Sequence, residues 1–374
     1  MKIIEVTRYI EELAPLNYAE DFDNVGLLVG NYDAEVSGVL VTLDTLEETV
    51  DEAIEKKCNL IVSFHPIIFT DLKKLNGNTY VERVVLKAIK NDIAIYATHT
   101  ALDNSKNGVS VKIAEVLGLK NTKILIPKKG IIKKLTMVVP TKYAVSLRNS
   151  LFEAGGGAIG NYVHCSFSTT GESTFQGTEN SNPVLGEKKV LQIENETKIS
   201  ILFERKNESK ILQSLQETHP YEEVAYEIVT IENVHQDIGM GMLGEFTEPM
   251  EEKDFLNYLK KTMQTACVRH SELLHKKIKK VAVLGGAGSF AISDAKNAGA
   301  DAYVSADFKY HEFFKAENDI LLADIGHYES EQFTKNLLVD YLTKNLVILQ
   351  SFYHKKVQIL FITHKHGKEE RSFC

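Results

Sequence analysis

Two hydrophobic periodicities alternate over the first third of the chain. Ile3, Val6, Ile10 and Leu13 recur at helical spacing and predict an amphipathic helix. Apolar runs follow at residues 36–43, 60–64 and 93–97, with helical patterns at about 46–57 and 80–90. Runs without polar alternation predict strands buried on both faces, and their interleaving with helices predicts βαβ units around a largely parallel sheet. The rhythm returns after Gly239-Met-Gly-Met-Leu-Gly244, with strands expected at 280–284, 302–305 and 320–325 and a helix over about 330–344.

The middle of the chain reads differently. It offers a strand at 135–139, a helix at 143–154, a glycine turn at 155–157 and a strand near 162–168. A loop rich in Gly, Ser, Thr and Asn at 169–186 precedes a strand at 199–203, a helix at 209–218 and a strand at 223–230. That βαββαβ-like order is the split-βαβ, ferredoxin-like pattern. The expected layout is an α/β chain with an N-terminal lobe at 1–128, an inserted α+β module at 129–234 and a C-terminal lobe at 235–374. The outer segments form one sheet system or two similar facing lobes. Residues 354–374 are Lys/His-rich and weakly patterned.

At 374 residues, two or three domains are expected. The formal charge of −8, without a basic block, leaves no electrostatic footprint for nucleic acid. Glu5, Arg8, Glu11 and Glu12 interrupt any signal-peptide core, and no window approaches the ~18–20 apolar residues of a membrane span. Four cysteines make no CxxC pair, so neither a disulfide framework nor a zinc ribbon is expected. The expectation is a cytoplasmic protein acting on a small molecule.

Three polar stretches each follow a buried-strand pattern: Ser63-Phe64-His65-Pro66, His99-Thr-Ala-Leu-Asp103 and Gly326-His327-Tyr328-Glu329-Ser330-Glu331. Ligands of open α/β sheets bind beyond the carboxyl ends of the strands, so these stretches are expected at one rim. His65, His99, Asp103, His327 and Glu331 offer the nitrogen and oxygen donors suited to Zn, Mn, Fe or Ni. His327 and Glu331, at i and i+4, share a helical face. One such His alone is ordinarily a satisfied core residue; three with carboxylates in reach favour a metal site. His311-Glu312 is a weaker candidate nearby. Cys165 beside His164 is no nucleophile pair, because adjacent strand residues point to opposite faces.

Gly285-Gly-Ala-Gly288, with Ala291 after it and Asp307 about 20 residues on, loosely fits a dinucleotide fingerprint. The reading preferred here is a glycine loop facing a phosphate or lining the metal cleft, or a plain tight turn.

Together with Asp23-Asn-Val-Gly-Leu27, these stretches resemble the Nif-three-like family, commonly named GTP cyclohydrolase 1 type 2 homologues. Residues 160–167, Gly177, Asn182-Pro183 and His219-Pro-Tyr-Glu-Glu223 resemble the PII/CutA-like insert of its longer bacterial members. The resemblance implies two related α/β lobes around a dinuclear metal centre and a ring-shaped homohexamer. It places His65 and Asp103 on one metal, His327 on the other and Glu331 bridging both, with His99 a ligand or proton carrier. Phe64 stands where the family reads His, which removes a ligand from the second metal, and Ala101 stands where Asn is usual.

The function expected is a metal-dependent hydrolase using one or two divalent cations to activate water toward a nucleotide or phosphoester. The alternative is a non-catalytic metal-binding or regulatory protein whose insert senses a small molecule or partner. A dinucleotide-dependent oxidoreductase is a third, weaker reading.

Overall fold

The apolar runs become short strands whose successive side chains feed two different cores. In the computed structural model, which describes residues 1–346 and 351–354, the N-terminal elements are α1 (Ile3–Leu13), β1 (Gly26–Val29), β2 (Val39–Thr42), α2 (Glu47–Glu55), β3 (Leu60–Ser63), α3 (Tyr80–Lys90), β4 (Ala94–Ala97), α4 (His99–Asp103), α5 (Val109–Val116) and β5 (Lys120–Lys128). Then come β6 (Ile132–Pro140), α6 (Ala144–Glu153), β7 (Ser166–Gln176), β8 (Leu191–Glu204), α7 (Glu208–Thr218) and β9 (Tyr226–Thr230). The remainder is β10 (His235–Glu251), α8 (Glu252–Thr262), β11 (Arg269–His270), β12 (Lys277–Ala287), α9 (Ile292–Asn297), β13 (Ala302–Ala306), β14 (Leu321–Asp324), α10 (His327–Glu331), α11 (Thr334–Asn345) and β15 (Ser351–Tyr353).

The chain divides into two compact units, one of residues 1–127 with 237–374 and one of residues 128–236. The first unit holds a five-stranded sheet, β1-β4-β3-β2-β15, and a six-stranded sheet, β11-β14-β13-β12-β10-β5. Strands β2, β3 and β4 run parallel, as do β12, β13 and β14. Val39, Val41, Leu60, Val62, Val281, Val283, Val304 and Leu321 enter one shared core together with α1 and α5. The intervening residues Leu40, Ile61 and Ile95 pack with α2 and α3, and Ala282, Tyr303 and Leu322 pack with α9. Because a strand's side chains alternate between its faces, covering both faces demands an unbroken apolar run.

The second unit is a four-stranded antiparallel sheet of order β7-β8-β6-β9 with helices α6 and α7. Leu135, Met137, Ile199, Ile201 and Phe203 pack against Leu147, Leu151, Ile211 and Leu215 of those helices.

Two expectations change here. The loop expected at 169–186 is strand as far as Gln176. Residues Gly239 to Gly244 lie inside β10 rather than before the next element. A Cβ at Gly239 would fall 2.1 Å from the Ile126 carbonyl oxygen, so the glycine permits close backbone approach. Cys58 and Cys165 are free thiols. Segment 355–374, the bulk of the Lys/His-rich tail, lies outside the described residues. No helix among the described residues is long and apolar enough to cross a membrane.

Candidate metal centre

Each strand-end residue is pinned by extension of the parallel ladder. The His65 amide donates to the Leu43 carbonyl at 2.9 Å, and the His99 amide to the Phe64 carbonyl at 2.8 Å. On the other sheet, the Ile325 amide donates to Ser305 at 3.0 Å. Gly326, at φ +93°, then turns the chain into α10. That helix starts at His327, so His327 and Glu331 share a face as their spacing predicts.

His65, His327 and Glu331 converge, with one donor atom from each within 4.8 Å of the others. Glu331 Oε2 lies 3.3 Å from both His65 Nε2 and His327 Nε2. Those two nitrogens are 3.4 Å apart. The Nδ1 atoms face outward to carboxylates: His65 to Asp44 Oδ1 at 3.0 Å and His327 to Asp307 Oδ2 at 2.6 Å. With Nδ1 donating, a neutral imidazole presents a bare Nε2 lone pair. Glu331 Oε2 is buried without a hydrogen-bond partner. Nε2 of both rings and Glu331 Oε2 thus meet at one place, a group of three that could hold a metal ion.

The local field has the same sense. Burial alone would lower the histidine pKa values. Glu331 and Asp44 outweigh it at His65, which is pushed up to about 10, and Asp307 and Glu331 lift His327 to about 11. Burial alone would raise Glu331, but the two imidazoles draw it down to about 2. The surrounding carboxylates thus favour positive charge at both imidazoles.

Asp103 lies at the C-terminal end of α4. It is outside the three-residue convergence, and its carboxylate accepts no hydrogen bond among the described residues. Burial, then the charge of Glu331, pushes its pKa well above the carboxylate range. His99 stands beside the cluster, its ring centroid 5.4 Å from that of His65. Its Nδ1 meets Asp23 Oδ1 at 2.7 Å, and the Thr100 amide and hydroxyl bind the other Asp23 oxygen. Burial would raise Asp23, but these bonds hold it below its ordinary range.

The glycine loop packs beneath the cluster. At Gly286, φ +68°, a Cβ would lie 2.4 Å from Glu331 Oε1. Its amide donates to Ser330 Oγ at 2.8 Å, while the Gly288 amide donates to the Ala306 carbonyl at 3.3 Å. Both amides are spent inside the protein, and the turn lines the candidate site. Asp307, the acid of the loose dinucleotide fingerprint, instead holds His327.

Other residues fall elsewhere. Glu312 accepts from the Lys309 amide at 2.7 Å, and His311 packs on Tyr310 and Phe314. His164 stacks on Phe152, and the Cys165 thiol meets the Val163 carbonyl at 3.8 Å. Phe64 is fully buried in the shared core, its ring 4.9 Å from that of His65. The sequence reading missed Asp44 as the partner of His65 and Asp307 as that of His327. Each stands just beyond the carboxyl end of a buried strand, the signal that picked out the histidines.

Comparison with known proteins identifies the family. Residues 1–366 match the family Duf34/NIF3 (NGG1p interacting factor 3). A Bacillus subtilis protein named "GTP cyclohydrolase 1 type 2 homolog" is 37% identical over 326 residues, covering 87% of each chain. A crystal structure of a Bacillus cereus protein related to NIF3 superposes with a TM-score of 0.81 at 34% identity, covering 97% of this chain and 99% of that one. A Staphylococcus aureus protein superposes with a TM-score of 0.76 at 30% identity, over 97% and 99% of the two chains. The chain belongs to the Duf34/NIF3 family.

Proposed function

We propose that His65, His327 and Glu331 hold a divalent cation, with Asp103 as a further ligand, and that the protein is a metal-dependent hydrolase. The observation that carries this reading is the convergence of the buried Glu331 Oε2 on two imidazole nitrogens, each 3.3 Å away. When bound, the cation supplies Lewis acidity and lowers the pKa of water for attack on a nucleotide or phosphoester. Asp44 and Asp307 fix the tautomer and direction of the ligating imidazoles. His99, held through Nδ1 by Asp23, offers Nε2 for proton transfer beside the reacting atoms.

The same reading takes the outer segments as two related α/β lobes and the insert, with its β7-β8-β6-β9 order, as a ferredoxin-like, PII/CutA-like module. It also takes the protein to be a cytoplasmic ring-shaped homohexamer. With Phe64 buried and without a donor, the convergent residues favour one cation per chain over the two that the family resemblance implies. The names of the relatives make GTP the first substrate to test.

Metal-stripped protein, reloaded separately with Zn and Mn, should open GTP or hydrolyse bis(p-nitrophenyl) phosphate only when loaded, and His99→Ala should lower the rate. Metal binding without turnover of either compound would favour the second reading, a non-catalytic metal-binding or regulatory protein. The buried Phe64 is the observation on its side.

A further inference from the structure

Phe22 and Phe69 are large apolar side chains left in water, 67% and 50% exposed, on two loops beside His99. Their ring centroids are 6.4 Å apart. Phe69 stands 6.2 Å from the His99 ring at 79°, an edge contact that joins the pair to the candidate centre. Isolated exposed apolar residues are ordinary on protein surfaces. These two are neither isolated nor loosely held. Asn24 Nδ2 donates to the Ile68 carbonyl at 2.6 Å, tying the loop of Phe22 to that of Phe69. The intervening Asp23, its side chain wholly buried, is fixed by His99 and Thr100. Two stapled loops therefore hold an aromatic pair open to solvent at the edge of a polar, charge-dense site.

We infer that Phe22 and Phe69 form a stacking subsite for the planar heteroaromatic ring of a nucleotide, placed beside His99. The inference rests on reading His65, His327 and Glu331 as a metal-binding reaction site, and names what that site recognises. An exposed aromatic face takes up any flat π-system and gains most when its own position is fixed in advance. A ring stacked parallel on Phe69 inherits its steep 79° angle to the His99 imidazole. The hydrogen-bonding groups at the centre are then left for the polar remainder of the ligand.

The test is calorimetric titration of the full-length, Mn-loaded protein with guanosine 5′-monophosphate and with ribose 5-phosphate, which lacks the ring. The nucleotide should bind at least about 10-fold more tightly. Phe22→Ala and Phe69→Ala should each weaken it by about 10-fold and leave ribose 5-phosphate unchanged, while Phe69→Tyr retains wild-type affinity. Equal binding of the two ligands by the wild type, or alanine variants that bind the nucleotide normally, would overturn the subsite. So would alanine variants that change only the molar mass in solution, since a second copy of the chain would then cover the pair. Metal content, measured alongside, separates the two claims. A wild type that takes up no metal ends the proposed function, and ring preference still decides the subsite.

Discussion

Histidines in the two compact units have opposite fates. In the second unit, His219 Nε2 donates to the Val138 carbonyl at 2.9 Å, and Nδ1 accepts from the Tyr221 amide at 3.1 Å. Both nitrogens are satisfied and the ring stays neutral; burial pushes its pKa below the ordinary value. Tyr221 completes the cluster by donating to Glu196 at 2.6 Å. In His65 and His327, Nδ1 is held by a carboxylate, while the two Nε2 atoms meet each other at 3.4 Å and the buried Glu331 Oε2 at 3.3 Å. The difference lies in what the second nitrogen faces: backbone at His219, a second imidazole and a buried carboxylate at His65 and His327.

The largest expected effect follows from removing the charge on which both imidazoles converge. Glu331→Gln keeps the volume, and should lower Zn or Mn affinity by more than about 100-fold, the upper range seen for outer-shell changes. Elemental analysis per chain, compared with wild type, measures this. Stoichiometric metal in the variant would show that the three donors do not form the site. A smaller effect is expected one shell out, where Asp307→Ala and Asp44→Ala should each cost about 10–100-fold in metal affinity. His219→Ala should leave metal affinity unchanged while costing about 1–3 kcal/mol of stability, because the Val138 carbonyl and the Tyr221 amide lose their partner. Chemical denaturation of the variant checks that figure, and a loss of metal there would erase the contrast between the two units.

Much of this contrast was readable in the chain, for specific reasons. β2, β3, β4, β13 and β14, and β12 over residues 281–286, are buried on both faces and therefore spell largely apolar runs. Their carboxyl ends announce His65 and His99 directly, and the Gly326 turn announces His327. Asp44 and Asp307 were missed because an aspartate after a strand is also an ordinary turn residue, and in sequence nothing shows which nitrogen it will face. Strand β7 was read as loop because its residues beyond Ser168 are mostly exposed and mainly Ser, Thr, Gly and Glu, so no alternation survives. The glycines of β10 look like a linker until the close approach of β5 gives them a purpose. His219-Pro220 reads as a turn; its two hydrogen bonds reach backbone at positions 138 and 221, one of them 81 residues away.

The smallest expected effect lies in the pH dependence of stability, where the two kinds of histidine have opposite signs. His219 has a folded-state pKa below 6.5, so on acidification the unfolded chain takes up the proton first. Its contribution is whole above pH 6.5 and is lost as the pH falls through that value toward the folded pKa. In metal-free protein, His65 and His327 are raised from 6.5 to about 10 and about 11. Their contribution is whole below pH 6.5 and is lost as the pH rises toward and through the folded values. Urea unfolding of metal-free protein at pH 5.5, 7.0 and 9.5 separates the two. His219→Gln should flatten only the acid side of the profile and His327→Gln only the alkaline side, and full metal loading should erase the alkaline slope because the cation replaces the protons. Identical profiles for the two variants would mean that the backbone-held and the carboxylate-facing imidazoles are energetically alike, and the structural basis for singling out the centre would fail.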